Sequence, residues 1–383
     1  MYGSGKSCEG NSGECDMEVK TIEHLENPCA GCVLCSVICP TEAINLVVDE
    51  EGFLQPNIDT AKCIQCGLCY EKCILDTSVS KRKQVRNVYA AFSLDTETRY
   101  QSTSGGIFTE LAKVVLEKLR GVVIGAAYQK NFLVKHELIQ RVEEIPRIRQ
   151  SKYIQSDVRE VYKEIDKLSE DILIMFVGTP CQISAFHQYM KERKNPTLYV
   201  DFICRGVNSP GVFQTYLEEL ESTYESKISN VWFKNKEEGW NHFQTRVDFE
   251  NGSVYIKDRY KDFFMRGFLK HNLYMRKSCH ECQFKGEERI ADITLADFWG
   301  VEFEDKEVDI ENGVSAVLIR SDMGKAVFSM LEKNVYFEEK TLEDVRKGNG
   351  CIDDSVKCGE YRAEFFSRLK NEKFSKIIWS LEE

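Results

Sequence analysis

Beyond about residue 85, short apolar runs alternate with stretches whose apolar positions recur every three or four residues, the pattern of strands and helices in turn. The runs predict strands at 88–94, 122–127, 172–177 and 197–203; the amphipathic stretches predict helices over about 106–119, 157–168, 181–193 and 210–222. Such β-α-β alternation predicts an α/β sheet domain. From about 227 to 258 the pattern turns strand-like, with Asn251-Gly252 marking a hairpin turn. A helix from Tyr260 to Phe268 is expected to present Phe263, Phe264 and Phe268 as a packing face. A strand at 314–320 and a helix at 323–333 follow, and a charged helix closes the chain.

Ahead of this region the pattern is set by cysteine. Cys29, Cys32, Cys35 and Cys39, then Cys63, Cys66, Cys69 and Cys73, each repeat C-x2-C-x2-C-x3-C, the spacing of bacterial ferredoxins. Three thiolates at intervals of three can wrap one face of a cubane, and the fourth, expected to start a helix, points to the other cluster. The spacing therefore assigns Cys29, Cys32, Cys35 and Cys73 to one 4Fe-4S cluster, and Cys63, Cys66, Cys69 and Cys39 to a second. Gly31 and Gly67 fall where a side chain would crowd the loop. Pro40 closes the first motif as the pattern expects, while Ile74 stands in place of the second proline. Two zinc sites or a disulfide framework are the competing readings, and two identical quartets fit them less well. A hairpin is expected between the quartets, at 44–48 and 52–54, and the basic stretch 81–86 reads as a linker or solvated segment.

Composition changes the picture in two ways. With 383 residues and 42% hydrophobic positions the chain has material for about two or three domains, so it is no bare ferredoxin. A net charge of -11 argues against nucleic acid as the main partner, since phosphate binding calls for a basic surface, and suits a redox protein meeting a basic partner. No apolar run reaches the length of a membrane span, and the start has no apolar signal-peptide core. A cytoplasmic location is expected, where 16 cysteines favour metal ligation over disulfides. Gly5-Lys6-Ser7 resembles the end of a phosphate loop but has no room for the rest of it; residues 1–19 read as a flexible tail containing Cys8 and Cys15.

Four later cysteines stand at informative places. Cys181 follows the most apolar strand, Cys204 follows another, and Cys279 and Cys282 form a C-x-x-C pair around His280 and Glu281. Ligands collect at the carboxyl ends of strands in open α/β sheets, so four thiolates could converge there. Spacing leaves zinc and a third cluster equally open.

Taken with Ser102-Thr103-Ser104-Gly105-Gly106, Gly178-Thr179-Pro180-Cys181-Gln182, Cys204-Arg205-Gly206 and the run 291–300, these residues resemble the coenzyme F420 hydrogenase/dehydrogenase beta-subunit family over residues 85 to about 350. The cysteine-rich segment resembles the two-cluster ferredoxin fused ahead of that domain in some members. The resemblance implies FAD and a third 4Fe-4S cluster on Cys181, Cys204, Cys279 and Cys282, with hydride exchange to coenzyme F420 in archaeal members. The expected fold is an α+β ferredoxin-like two-cluster module (20–80) followed by an α/β mixed-sheet flavin-binding domain (85–350), with a C-terminal helical segment at 351–383.

For the flavin, Ser102, Ser104, Gly105 and Gly106 open a helix whose positive end could hold a phosphate; the plainer reading is an N-cap and turn. Lys152, with Tyr153, falls where the family has a flavin-contacting segment, and would otherwise read as a surface lysine. Arg205 could neutralise a pyrophosphate, tune a cluster or pair with a carboxylate. Asp297 fits a site edge or a packed strand end. The stretch Trp240-Asn241-His242-Phe243 reads as core, His280 as a cluster contact or a solvent-facing residue, and Cys351 and Cys358 as incidental thiols. The functional expectation is an FAD-dependent iron-sulfur oxidoreductase working with a redox partner protein, such as a ferredoxin or an oxidoreductase subunit, and a small hydride donor or acceptor. The alternatives are a ferredoxin-dependent reductase of another small molecule, including one linked to polysaccharide biosynthesis, and a non-enzymatic electron-relay subunit.

Overall fold

The computed structural model describes residues 19–75 and 82–381, so the expected tail with Cys8 and Cys15 lies outside the described residues. The expected hairpin forms: β1 (Ile44–Val48) pairs antiparallel with β2 (Leu54–Ile58). Next come β3 (Asn87–Ser93), β4 (Val122–Tyr128), β5 (Val134–Ile139), β6 (Ser156–Asp157), β7 (Ile174–Gly178) and β8 (Thr197–Phe202). The predicted strand-rich region holds β9 (Ile228–Asn235), β10 (Gln244–Phe249) and β11 (Val254–Asp258), an antiparallel sheet of its own with the turn at Gly252. The last strands are β12 (Ile293–Asp297), β13 (Ser315–Ile319) and β14 (Val335–Lys340).

Nine strands build one mixed sheet in the order β14-β3-β13-β12-β8-β7-β4-β5-β6. Its centre is parallel, with β4, β7, β8 and β12 running the same way, so their carboxyl ends share one edge. Successive side chains of a strand face opposite sides, and both sides are covered. On β7, Met175 packs with the helix Ile107–Lys113, while Ile174 and Phe176 pack with Phe186 of the helix Pro180–Met190. The cysteine-rich module joins that second layer, because Val33, Leu34 and Ile74 share a core with Tyr162, Phe186 and Phe284.

Four expectations need correcting. The fourth cysteine of each quartet does not start a helix; Cys35 and Cys69 lie within the short helices Leu34–Ile38 and Leu68–Glu71, each entered through a left-handed residue, Val33 (φ 59°) and Gly67 (φ 73°). Residues 82–86 are exposed at Arg82, Gln84 and Arg86, as a solvated segment would be, but they are no free linker: Lys83 exchanges backbone hydrogen bonds with Arg289 and its Nζ lies 2.6 Å from Asp292, while Arg86 pairs with Asp322 at 2.6 Å. The chain closes with two helices, Arg362–Leu369 and Phe374–Ser380, and Phe365, Phe374, Ile377 and Ile378 are fully buried in the core around β9–β11. Strands β5 and β14 had no counterpart in the sequence pattern, their polar residues interrupting any apolar run. Among the described residues, no helix is long and apolar enough to cross a membrane.

Candidate functional site

Two βα turns deliver cysteine to the carboxyl edge of the sheet. After β7 the chain passes Thr179 into the helix Pro180–Met190, where proline at the first position and the threonine cap define the start. Cys181 takes the next position, with its Sγ 3.1 Å from Thr179 Oγ1, at the end of the helix that favours negative charge. Cys204 lies just beyond β8, Cys279 in the single turn Lys277–Cys279 and Cys282 in the loop after it. All four line one cavity together with Thr179, Arg205, Gly206 and Lys285. A side chain at Gly206 (φ +153°) would come within 2.7 Å of Met275 Sδ and 3.1 Å of Cys279 Cβ, so the loop needs glycine to bring its cysteine in. Lys285 Nζ donates to the carbonyls of Cys204 and Cys351, fastening the rim.

Burial pushes the Cys181 thiol up to about 12 and Cys204 well above its usual range, and in both the neighbouring cysteines push further. Thiols that oppose one another's ionisation form a site that positive charge would stabilise, and the donor set suits iron held as a cluster.

A second cavity, about 240 Å³, is lined by Cys29, Cys32, Cys35 and Cys73 with Leu34, Leu46, Leu54 and Ile74. Burial raises Cys32 and Cys35, and the other thiols of this foursome add to it. The remaining quartet is more open: Cys66 is exposed, and Cys69 is raised by burial and by Cys66. Burial alone would raise Cys39, yet backbone N–H groups of Thr41, Ala43 and Ile44 outweigh it and hold the thiol below its ordinary value.

The candidate flavin residues lie elsewhere along the same edge. Ser102 donates to the carbonyl of Thr98 (2.7 Å) in the preceding helix Thr96–Tyr100, Ser104 donates to that of Val314 (2.6 Å) and Gly105 N donates to Ser315 Oγ, so these groups first hold the loop to that helix and to the start of β13. A Cβ at Gly105 would sit 2.4 Å from Ala91 O. Lys152 is no ordinary surface lysine: its ammonium donates to the carbonyls of Arg149 (2.6 Å), Gln150 (3.3 Å) and Arg147 (3.4 Å), and burial pushes it down to about 7. Arg205 Nη2 donates to Leu269 O and Asn272 Oδ1 rather than to a carboxylate. Asp297 pairs with Lys234 at 2.5 Å and accepts from Trp240 Nε1 at 3.0 Å, beneath the stacked Trp240 and Trp299 rings.

Sequence reasoning missed Lys234 and Lys236. Both are buried, and Lys236 donates to the carbonyls of Arg99, Ser104 and Asn312 while burial pushes it down to about 7. Lys234 directly after the apolar run Val231-Trp232-Phe233, with Lys236 two residues on, was the available signal. Near these groups Tyr128 Oη, Arg149 Nε and Asn235 Nδ2 are buried with no hydrogen-bond partner among the described residues, which fits a polar ligand. His280 Nδ1 bonds Val356 O at 2.8 Å, and Trp240 and Phe243 are buried core.

Two family models match this chain, and both describe redox-enzyme subunits, so its class is oxidoreductase. They are the N-terminal part of the coenzyme F420 hydrogenase/dehydrogenase beta subunit, matched at residues 88–163, and its C-terminal part, matched at 172–345; the chain belongs to that family. It is 23% identical over 371 residues to one of the subunits of the F(420)H(2) dehydrogenase of Methanosarcina mazei, covering 90% of this chain and 96% of that one. The beta subunit of the coenzyme F420 hydrogenase of Methanococcus voltae is 21% identical, covering 69% and 87%. A solved structure of the F420-reducing NiFe hydrogenase complex from Methanosarcina barkeri aligns at a TM-score of 0.47 with 19% identity, covering 78% of this chain and 93% of that one.

Proposed function

We propose that the protein is an iron-sulfur flavoprotein oxidoreductase that exchanges electrons between 4Fe-4S clusters and FAD, and hydride with a small redox substrate such as coenzyme F420. The observation that carries this reading is the convergence of Cys181, Cys204, Cys279 and Cys282 from three separate segments onto one cavity. These four would hold one cluster, Cys29, Cys32, Cys35 and Cys73 another, and Cys39, Cys63, Cys66 and Cys69 a third. When bound, FAD and the clusters supply the conversion between two-electron hydride chemistry and single-electron transfer. The chain's own residues bind and orient. The helix start at Thr179 and the Lys285 ammonium favour the anionic charge of a thiolate-ligated group. Lys152, which burial pushes down to about 7, can hold or release a proton at Nζ, next in the chain to Ser151, which bonds Thr103 of the 102–106 loop, while Lys234 keeps Asp297 in place. A redox partner protein would supply or accept the single electrons, in the cytoplasm.

Anaerobic purification with iron, sulfide and flavin analysis tests the reading. About twelve irons per chain, three cubanes of four, with bound FAD is the expected result. Clusters without flavin would favour a relay subunit, and zinc beside about eight irons would overturn the cluster proposed at Cys181, Cys204, Cys279 and Cys282. Flavin and clusters without absorbance change on mixing with coenzyme F420 would point to a different small-molecule substrate.

A further inference from the structure

The two enclosed thiol cavities share a wall. Asn27, Ala30 and Leu75 line both the cavity of Cys29, Cys32, Cys35 and Cys73 and that of Cys181, Cys204, Cys279 and Cys282. The wall is made of the ligand-bearing loops themselves, since Ala30 adjoins Cys29 and Leu75 lies two residues beyond Cys73. Arg276 fastens it. Buried at 2% exposure, its guanidinium donates from Nε to Cys29 O at 2.7 Å, from Nη1 to Leu54 O at 3.1 Å and from Nη2 to Gln55 Oε1 at 2.7 Å. Its own carbonyl accepts from Cys279 N at 2.9 Å. One residue thus ties a loop of one thiol set to a loop of the other. The remaining set faces outward, with Cys66 exposed and Ile64 63% exposed beside it.

Resting on the assignment of clusters above, we propose an order for the three thiol sets. The cluster that Cys29, Cys32, Cys35 and Cys73 would hold is the inner station, exchanging single electrons with that of Cys181, Cys204, Cys279 and Cys282 across the wall of Asn27, Ala30 and Leu75. Cys39, Cys63, Cys66 and Cys69 form the outer terminus, which meets the external one-electron carrier. No bond forms or breaks in the step; the cluster that one set would hold is oxidised by one electron as the cluster of its neighbour is reduced. Arg276 is a positioning residue that sets the distance across the wall.

Electron paramagnetic resonance of the dithionite-reduced, anaerobically purified full chain reads this order as spin-spin splitting between clusters. The expected result is splitting of the signal from the cluster proposed at Cys181, Cys204, Cys279 and Cys282 that persists in Cys66→Ser and collapses to an isolated line in Cys32→Ser, each variant holding about eight irons, the content of two cubanes. Splitting that survives Cys32→Ser, or vanishes with Cys66→Ser, overturns the order. Arg276→Gln keeps every ligand and covers the case in which Cys32→Ser does not fold: weakened splitting at full iron content is expected, and an unchanged spectrum with unchanged midpoint potentials overturns the role of Arg276. A wild-type chain without iron would instead overturn the cluster assignment itself.

Discussion

His136 shows how a single buried residue couples this fold to pH. Its ring stacks on Phe176 at 5.4 Å, with Nδ1 2.5 Å from Ser156 Oγ and Nε2 3.0 Å from Val177 O, and burial pushes its pKa down to about 4. A histidine kept neutral when folded and free to protonate when unfolded adds nothing to the pH dependence above about 6.5. Below that the unfolded state binds the extra proton, and stability falls until the folded pKa near 4 is reached. The loss expected across this window is about 3 kcal/mol. Denaturant midpoints measured between pH 7 and pH 4 should show it, and His136→Asn should flatten that part of the curve. At this scale the sequence was read unevenly. The cysteines announced themselves by spacing, whereas Lys152 looked like a surface residue because enclosure by the carbonyls of Arg147, Arg149 and Gln150 depends on how the chain folds back.

At the scale of elements, the start of the helix Pro180–Met190 joins a local sequence signal to the site. Thr179, Pro180 and Gln182 form a capping box readable from the sequence, and the same box puts Cys181 at the cavity. Thr179→Val removes the hydroxyl that accepts from Gln182 N and lies beside Cys181 Sγ. It should cost about 1 kcal/mol of stability and make the cluster proposed at Cys181 more labile. Thermal unfolding, and iron release to a chelator, check the two parts separately. Buried central strands such as β7 and β8 were legible because both faces are covered and each carries an apolar core, Ile174-Met175-Phe176-Val177 and Leu198-Tyr199-Val200. Strand β14 sits at the sheet edge with exposed positions, and its charged second half, Glu338-Glu339-Lys340, hid it from a search for apolar runs.

Over the whole molecule, the C-terminal helices act as a brace. Arg362 donates to the carbonyls of Leu273 and Met275 and pairs with Glu51 of the β1–β2 hairpin, while Phe374 is 1% exposed in the core around β9–β11. Phe374→Ala should destabilise the chain by about 3–5 kcal/mol, read as a lowered denaturant midpoint. A wild-type-like midpoint would show that the terminal helix is dispensable. The sequence presented this segment as a charged helix because most of its residues face solvent; only packing reveals that four of its apolar side chains close the core.

The sequence by itself determined what depends on short-range chemistry: thiolates at cluster spacing, the α/β rhythm, the caps and the turn at Gly252. Tertiary structure decided what depends on long-range contact. It brought Cys181, Cys204, Cys279 and Cys282 to one cavity, placed Cys29 behind Arg276, and turned the segment at 82–86 from a linker into a docked strap. The physical reason is that spacing along a chain constrains only neighbours. Which distant loops meet is settled by the shared edge of parallel strands and by the buried residues that hold the layers together.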